Sequence, residues 1–167
     1  MARADARMLT RYNAWANKLL FEAVAALPEG EALKTRPGVF RNMVYTLNHI
    51  YVIDRVFQAH LEGRAHGYTA RNTPDHPPLA DLWRLQQEID AWYVTRYDPM
   101  PESELNAKLE FSFIGGGQGS MTRAEILLHV VNHTTYHRGN VASMIYDVPG
   151  HRPPTTDLPV FLRDIPQ

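Results

Sequence analysis

The residues with most to offer chemically are three histidines spaced four apart. They are His129, His133 and His137, in the run Leu128-His129-Val130-Val131-Asn132-His133-Thr134-Thr135-Tyr136-His137-Arg138-Gly139-Asn140. Residues four apart on an α-helix differ by only about 40° in direction and about 6 Å in rise, so the series stacks along one side. The side is set by the neighbours. With Ile126 as origin and about 100° per residue, Val130 falls at about 40°, Val141 at about 60° and Met144 at about 0°. On the same wheel His133 falls at about −20° and His137 at about +20°. Both rings point along the centre of the apolar stripe, where every ring nitrogen needs a partner other than water. Two neutral imidazoles one turn apart in such a place can share a divalent metal ion at about 2.0–2.1 Å. His129 comes at about −60°, at the stripe's edge, and fits a polar network better than ligation.

A metal needs a third ligand from elsewhere. His49, in Leu47-Asn48-His49-Ile50, is flanked on its own face by Val52, Ile53 and Val56. His60 is the rival, expected to be solvated because it lies nearer the end of that segment. Three neutral imidazoles leave the ion's double charge intact and at least one coordination position open, the catalytic type of site. Two other metal chemistries fail on residue type. A zincin helix needs Glu directly after its first His, but Val130 and Thr134 stand there. A di-iron centre needs Glu-x-x-His on paired helices, but Glu125 to His129 is one residue too long and has no second copy. The chain has no cysteine, which removes thiolate ligands and cysteine nucleophiles and fits a reducing cytoplasm.

The elements that must position these rings are helical. From about residue 4 to 27, Leu9, Tyr12, Ala16, Leu19, Leu20, Ala23 and Leu27 recur at three- and four-residue steps, until Pro28-Glu29-Gly30 stops the helix. A second helix, from about Val39 to Leu61, is apolar around most of its girth. It is therefore buried between neighbours or lies in a subunit contact. A polar loop runs from Gly63 to Pro78, and a third helix from about Leu79 to Tyr97, ended by Asp98-Pro99. Leu109 to Ile114 followed by Gly115-Gly116-Gly117 predicts a short strand and turn. Thr122-Arg123-Ala124-Glu125 matches a capping box, opening a fourth helix that runs to about Asp147. The proline-rich tail from His151 is expected to lie extended, anchored by Leu158, Val160, Phe161 and Leu162. The fold class is all-α: a four-helix bundle, with a strand/turn insertion before the fourth helix and an extended C-terminal tail.

At 167 residues one domain, 1–167, is the natural reading, with core enough to fold without disulfide or structural metal. Seventeen Lys+Arg against 18 Asp+Glu give no basic excess, so no nucleic-acid partner is expected. No stretch approaches about 18 unbroken apolar residues, so no membrane span is expected. The stretch Met1 to Arg7 lacks a signal-peptide core, consistent with a cytoplasmic location.

Several other residues have both a structural and a chemical use. Tyr12 and Trp15 are expected in the core. Arg138 is expected to snorkel or pair with a carboxylate, and Gly139 to permit a close helix approach. Asp54 could orient a ligand imidazole or sit in a surface ion pair. The Gly115–Gly119 run lacks the Gly-Lys-Ser/Thr ending of a phosphate loop and reads as a tight turn.

The ordered set of motifs resembles the DinB (damage-inducible) family, within the wider DinB/YfiT-like superfamily of metal-binding bundles. It comprises Tyr12-Asn13-Ala14-Trp15-Ala16-Asn17, Leu47-Asn48-His49-Ile50 with Asp54, Gly116-Gly117-Gln118-Gly119, Asn132 to Asn140, and Thr156-Asp157-Leu158. The resemblance implies a four-helix bundle, often a homodimer, holding one divalent metal ion, zinc or nickel, on three histidines. Carried over to this sequence, the ligands are His49, His133 and His137. Asn140 departs conservatively from the Gln that relatives commonly carry after Arg-Gly. Some superfamily relatives are metal-dependent transferases or isomerases of small molecules that use a low-molecular-weight thiol such as bacillithiol or mycothiol. The alternative is a non-catalytic metal-binding or stress-response module.

Overall fold

A computed structural model describes residues 6–165. The expected helix start near residue 4 and the reading of Met1 to Asp5 lie outside them. Among the described residues there are six helices and one two-stranded hairpin. They run α1 (Ala6–Ala25), α2 (Met43–Leu61), α3 (Leu79–Tyr97), α4 (Glu102–Leu105), β1 (Lys108–Ser112), β2 (Gln118–Thr122), α5 (Arg123–Tyr146) and α6 (Leu158–Asp164). The protein is mostly helical, and its long helices close a ring: α1 and α2 each pack against both α3 and α5. No helix of the described residues is long and apolar enough to cross a membrane.

The sequence expectation of four helices and an extended tail is corrected in two places. A single helical turn, α4, follows the Pro99–Pro101 break. The tail is extended only from His151 to Asp157 and then coils into α6, with proline in its first turn, where the missing N–H costs nothing. The coil buries Phe161 edge-on against Tyr12 at 5.8 Å, and it turns Leu162 outward instead of anchoring it.

Local chemistry fixes the helix starts that matter. The Asn42 side chain accepts the Tyr45 N–H at 2.8 Å, so α2 begins at Met43 rather than Val39. Phe40 is thereby left in the turn before the helix, next to Arg41 with φ +33°. At α5 both halves of the capping box form: Thr122 Oγ1 accepts from Glu125 N at 3.1 Å, and Glu125 Oε2 from Thr122 N at 2.7 Å. The strand and turn is a full antiparallel hairpin pairing Phe111 with Gly119. A Cβ on Gly119 would stand 2.5 Å from the Phe111 ring, so only glycine lets that ring lie flat across β2.

The core has two large apolar clusters with a polar layer at the level between them, and a smaller third of Tyr12, Ala16, Val131 and Phe161. One large cluster holds Phe57, Ile89, Tyr93 and Leu127, the other Phe21, Leu47, Leu82 and Ile145. On α3 Gln86 falls between Leu82 and Ile89, and on α5 Thr134 and Arg138 fall between Val130 and Val141. Asn13 and Asn17 bring α1 into this layer. That turns the buried stripe of α1 toward Phe21 and Val24 and leaves Leu19 and Leu27 only half-buried. The all-round apolarity of α2 is used inside the chain, against α3, α5 and β1.

Candidate metal centre

Helix α2 carries His49 inward and α5 carries His133 and His137 inward, one turn apart. A ring nitrogen from each lies within 4.8 Å of the others. The Nε2 atoms of His49 and His133 are 3.2 Å apart. Two nitrogens each about 2.0–2.1 Å from a shared tetrahedral ion stand about 3.3–3.4 Å apart, so this pair already has ligand spacing. His137 closes the triangle, its ring centroid 4.6 Å from that of His49 and 4.4 Å from that of His133.

The proton positions matter as much as the distances. His49 Nδ1 lies 2.8 Å from the Arg71 carbonyl oxygen, which can only accept. Nδ1 therefore carries the hydrogen, and Nε2 offers a lone pair to the site. The Asn140 carboxamide lies 3.3 Å from His137 Nδ1. It is the amide nitrogen, Nδ2, that faces the ring, so this contact does not put the hydrogen on His137 Nδ1 as the Arg71 carbonyl does on His49. His133 Nδ1 is buried with no partner among the described residues, while its Nε2 faces the His49 lone pair. Only a proton or a cation can sit favourably between those two nitrogens.

All three rings are held uncharged. Burial drives His133 down to about 3, helped by the neighbouring His137 and His49. Burial and His49 bring His137 to about 4, and burial also lowers His49. Neutral imidazoles are what a metal ion requires, because protonated ones cannot ligate. Three imidazole nitrogens without a carboxylate suit a transition-metal ion such as zinc, copper, iron or nickel and do not suit the oxygen-seeking calcium and magnesium ions.

The rings form the floor of a cleft of about 530 Å³. Phe40 lies edge-on to His137 with centroids 4.6 Å apart, and Ile53, Phe57 and Phe113 continue the apolar wall. The three histidines singled out from the sequence are thus together. The others are not. The His129 ring lies at the edge of the cleft against Phe57, at 4.4 Å, rather than in a polar network. His60, expected in solvent, is buried because the hairpin lays Phe111 over the end of α2, stacked 4.6 Å from its ring.

Asp54 orients no imidazole and makes no surface pair. It is fully buried, accepting from Gln86 Nε2 at 2.9 Å and from Thr134 Oγ1 at 3.4 Å. Arg138 neither snorkels nor meets a carboxylate directly. Its guanidinium is buried on Asn13, Asn17 and Thr135, and Asn17 in turn donates to Asp90. Gly139 permits no close approach, since an added Cβ would meet nothing within 4 Å.

Sequence reasoning passed over the loop from Gly63 to Pro78. Asn48, beside His49, accepts from Thr73 N at 3.0 Å, and Asn72 Nδ2 donates to the Tyr45 carbonyl at 2.8 Å. These bonds hold the Arg71 carbonyl over His49 and bring Arg71 and Asn72 to the cleft. The polar residues following the His49 helix were the available clue.

The DinB family model matches residues 1–166. The chain belongs to the DinB family. The family match spans all the elements that build the metal centre, from α1 to α6. A curated DinB relative, Protein DinB of Bacillus subtilis (strain 168), is 26% identical over 167 aligned positions. The alignment covers 92% of this chain and 91% of that protein.

Proposed function

We propose that this DinB family protein holds one divalent ion, zinc or nickel, on His49, His133 and His137. In this reading a four-helix-bundle scaffold carries the centre, which serves a thiol-dependent transfer or isomerisation of a small molecule. What supports it most is the placement of three uncharged imidazoles on the floor of an open cleft, with no fourth metal-ligating side chain grouped with them among the described residues. When bound, an ion with an open position supplies Lewis acidity and keeps a thiolate or water deprotonated near neutral pH.

The chain's own contribution is orientation and desolvation. The Arg71 carbonyl sets the His49 ring, burial keeps all three rings neutral, and Phe40 screens one side of the centre from water. Because the protein has no cysteine, a thiol nucleophile has to arrive as a cosubstrate. A metal that only braces α2 to α5 is the weaker reading. Those helices are already joined in the core by the Thr134–Asp54 hydrogen bond.

Titrating the cobalt-substituted protein with a small thiol such as N-acetylcysteine tests the proposal. A sulfur-to-cobalt charge-transfer band is expected. An unchanged spectrum, with unfolding on chelation, would establish the brace instead.

The homodimer belongs to this proposal. Arg138, which is buried, is the one Asp, Glu, Lys or Arg between Ile126 and Tyr146, so the solvent side of α5 presents Leu128, Tyr136 and Tyr146 without charge. Light scattering is expected to give twice the 19.1 kDa chain mass and to fall to one chain in Tyr136→Arg. A monomeric wild type would contradict this.

A further inference from the structure

We propose that the cleft above the three histidines takes a small organic anion, its negative head drawn to Arg71 and its hydrophobic body lying on Phe40, Phe57 and Phe113. This rests on the metal-centre reading of the same site. Arg71 is exposed at the cleft, and its backbone is pinned there by the His49 ring and by the Asn48–Thr73 and Asn72–Tyr45 bonds.

Arg11, Arg64 and Arg84 pair with Asp98, Glu62 and Glu88, while exposed Arg41 and Arg152 lie over the Tyr45 and Tyr146 rings, away from the cleft. Arg71 differs from them in lining the cleft of the three histidines. Among the described residues it has no acidic partner, and no Asp or Glu lines the cleft. A divalent ion beside an unpaired guanidinium, in a cleft without carboxylates, leaves positive charge that only an incoming anion can balance.

The rest of the wall selects the ligand's other end. Phe40, Phe57, Phe113 and Ile53 offer apolar contact and few hydrogen bonds, so a bare inorganic anion would leave them unused. A volume of about 530 Å³ accommodates a carboxylate or thiolate carrying a body the size of a phenyl ring.

Calorimetric titration of the zinc-loaded full chain with 3-phenylpropionate and with its neutral amide separates charge from shape. The acid is expected to bind at least about tenfold tighter than the amide. Arg71→Gln should weaken the acid about tenfold, leave the amide and the zinc content unchanged, and be largely rescued by Arg71→Lys. Equal affinity for acid and amide, an acid affinity indifferent to Arg71→Gln, or no binding of either probe overturns the proposal. If the chain takes up neither zinc nor nickel, the metal-centre reading fails by itself. The same titrations on the metal-free chain then decide the anion site: an acid preference abolished by Arg71→Gln upholds it, and equal binding overturns it.

Discussion

His133 shows how one side chain is committed by its surroundings. Its Nδ1 has no partner among the described residues, its Nε2 faces the lone pair of His49, and burial keeps it from taking a proton at neutral pH. Asp54 is the opposite case, a carboxyl held by burial and by the nearby Asp90 charge well above its ordinary value of 3.8. Arg138 is the cation bearing on both carboxyls, so the layer is neutral when Asp54 keeps its proton and Asp90 does not. A raised carboxyl contributes stability at low pH that is lost as pH rises above the ordinary value. Asp54→Asn needs no proton, and it can turn its amide oxygen to Gln86 and its nitrogen to Thr134. Urea unfolding is expected to show the variant more stable than the wild type at pH 7, the gap closing as pH falls toward the ordinary carboxyl value. A less stable variant at pH 7 would contradict this. The wheel positions of His133 and His137 made them readable from sequence. Asp54 was misread because an acid on a helix is ordinarily solvated, and nothing local announces that α2 is covered on all sides.

Among the elements, the loop between α2 and α3 does what no helix could. It brings a backbone carbonyl to His49 Nδ1, and it is itself tied down by Asn48 from the helix it caps. Asn48→Ala cuts that tie, leaving Thr73 N without its acceptor and Asn72 Nδ2 with the Tyr45 carbonyl alone. The outcome expected is a retained helical fold, a stability loss of about 1–2 kcal/mol, and zinc affinity lowered about tenfold or more in a chelator competition. Unchanged zinc affinity would show that the loop does not position the ligand. The four long helices were legible, with α3 and the capped start of α5 falling where the pattern placed them. The start of α2 was not, because Val39 and Phe40 continue an apolar pattern that Asn42 interrupts by capping. Nor was α6, because seven residues beginning with Leu158-Pro159 carry too short a period to be told from an extended tail. Loop contacts between residues more than 20 positions apart, such as His49 with Arg71, leave no periodic trace at all.

For the molecule as a whole, buried histidines and buried acids pull stability in opposite directions with pH. His60 and His137 are held near 4 and His133 near 3, against an ordinary 6.5. A lowered histidine contributes stability that is present above 6.5 and lost as pH falls. Asp90, raised to about 6, works the other way between 3.8 and 6. The histidines outnumber the acids, so the metal-free protein is expected to lose stability from about pH 6.5 down to about pH 4 by circular dichroism; a flat profile would contradict it. The resemblance to the DinB family was legible because its motifs are strung along the whole chain, and the family match confirms it. The cleft was not, since its walls come from the turn before α2, from α2 and α5, from the α2–α3 loop and from the hairpin.

The most direct measurement is the metal content of the purified chain and of His49→Ala, His133→Ala and His137→Ala, by elemental analysis after loading with zinc or nickel and desalting. The three-histidine centre predicts about one ion per chain in the wild type and loss of that ion in each variant that remains folded. A wild type that retains none, or variants that retain the wild-type content, would contradict it.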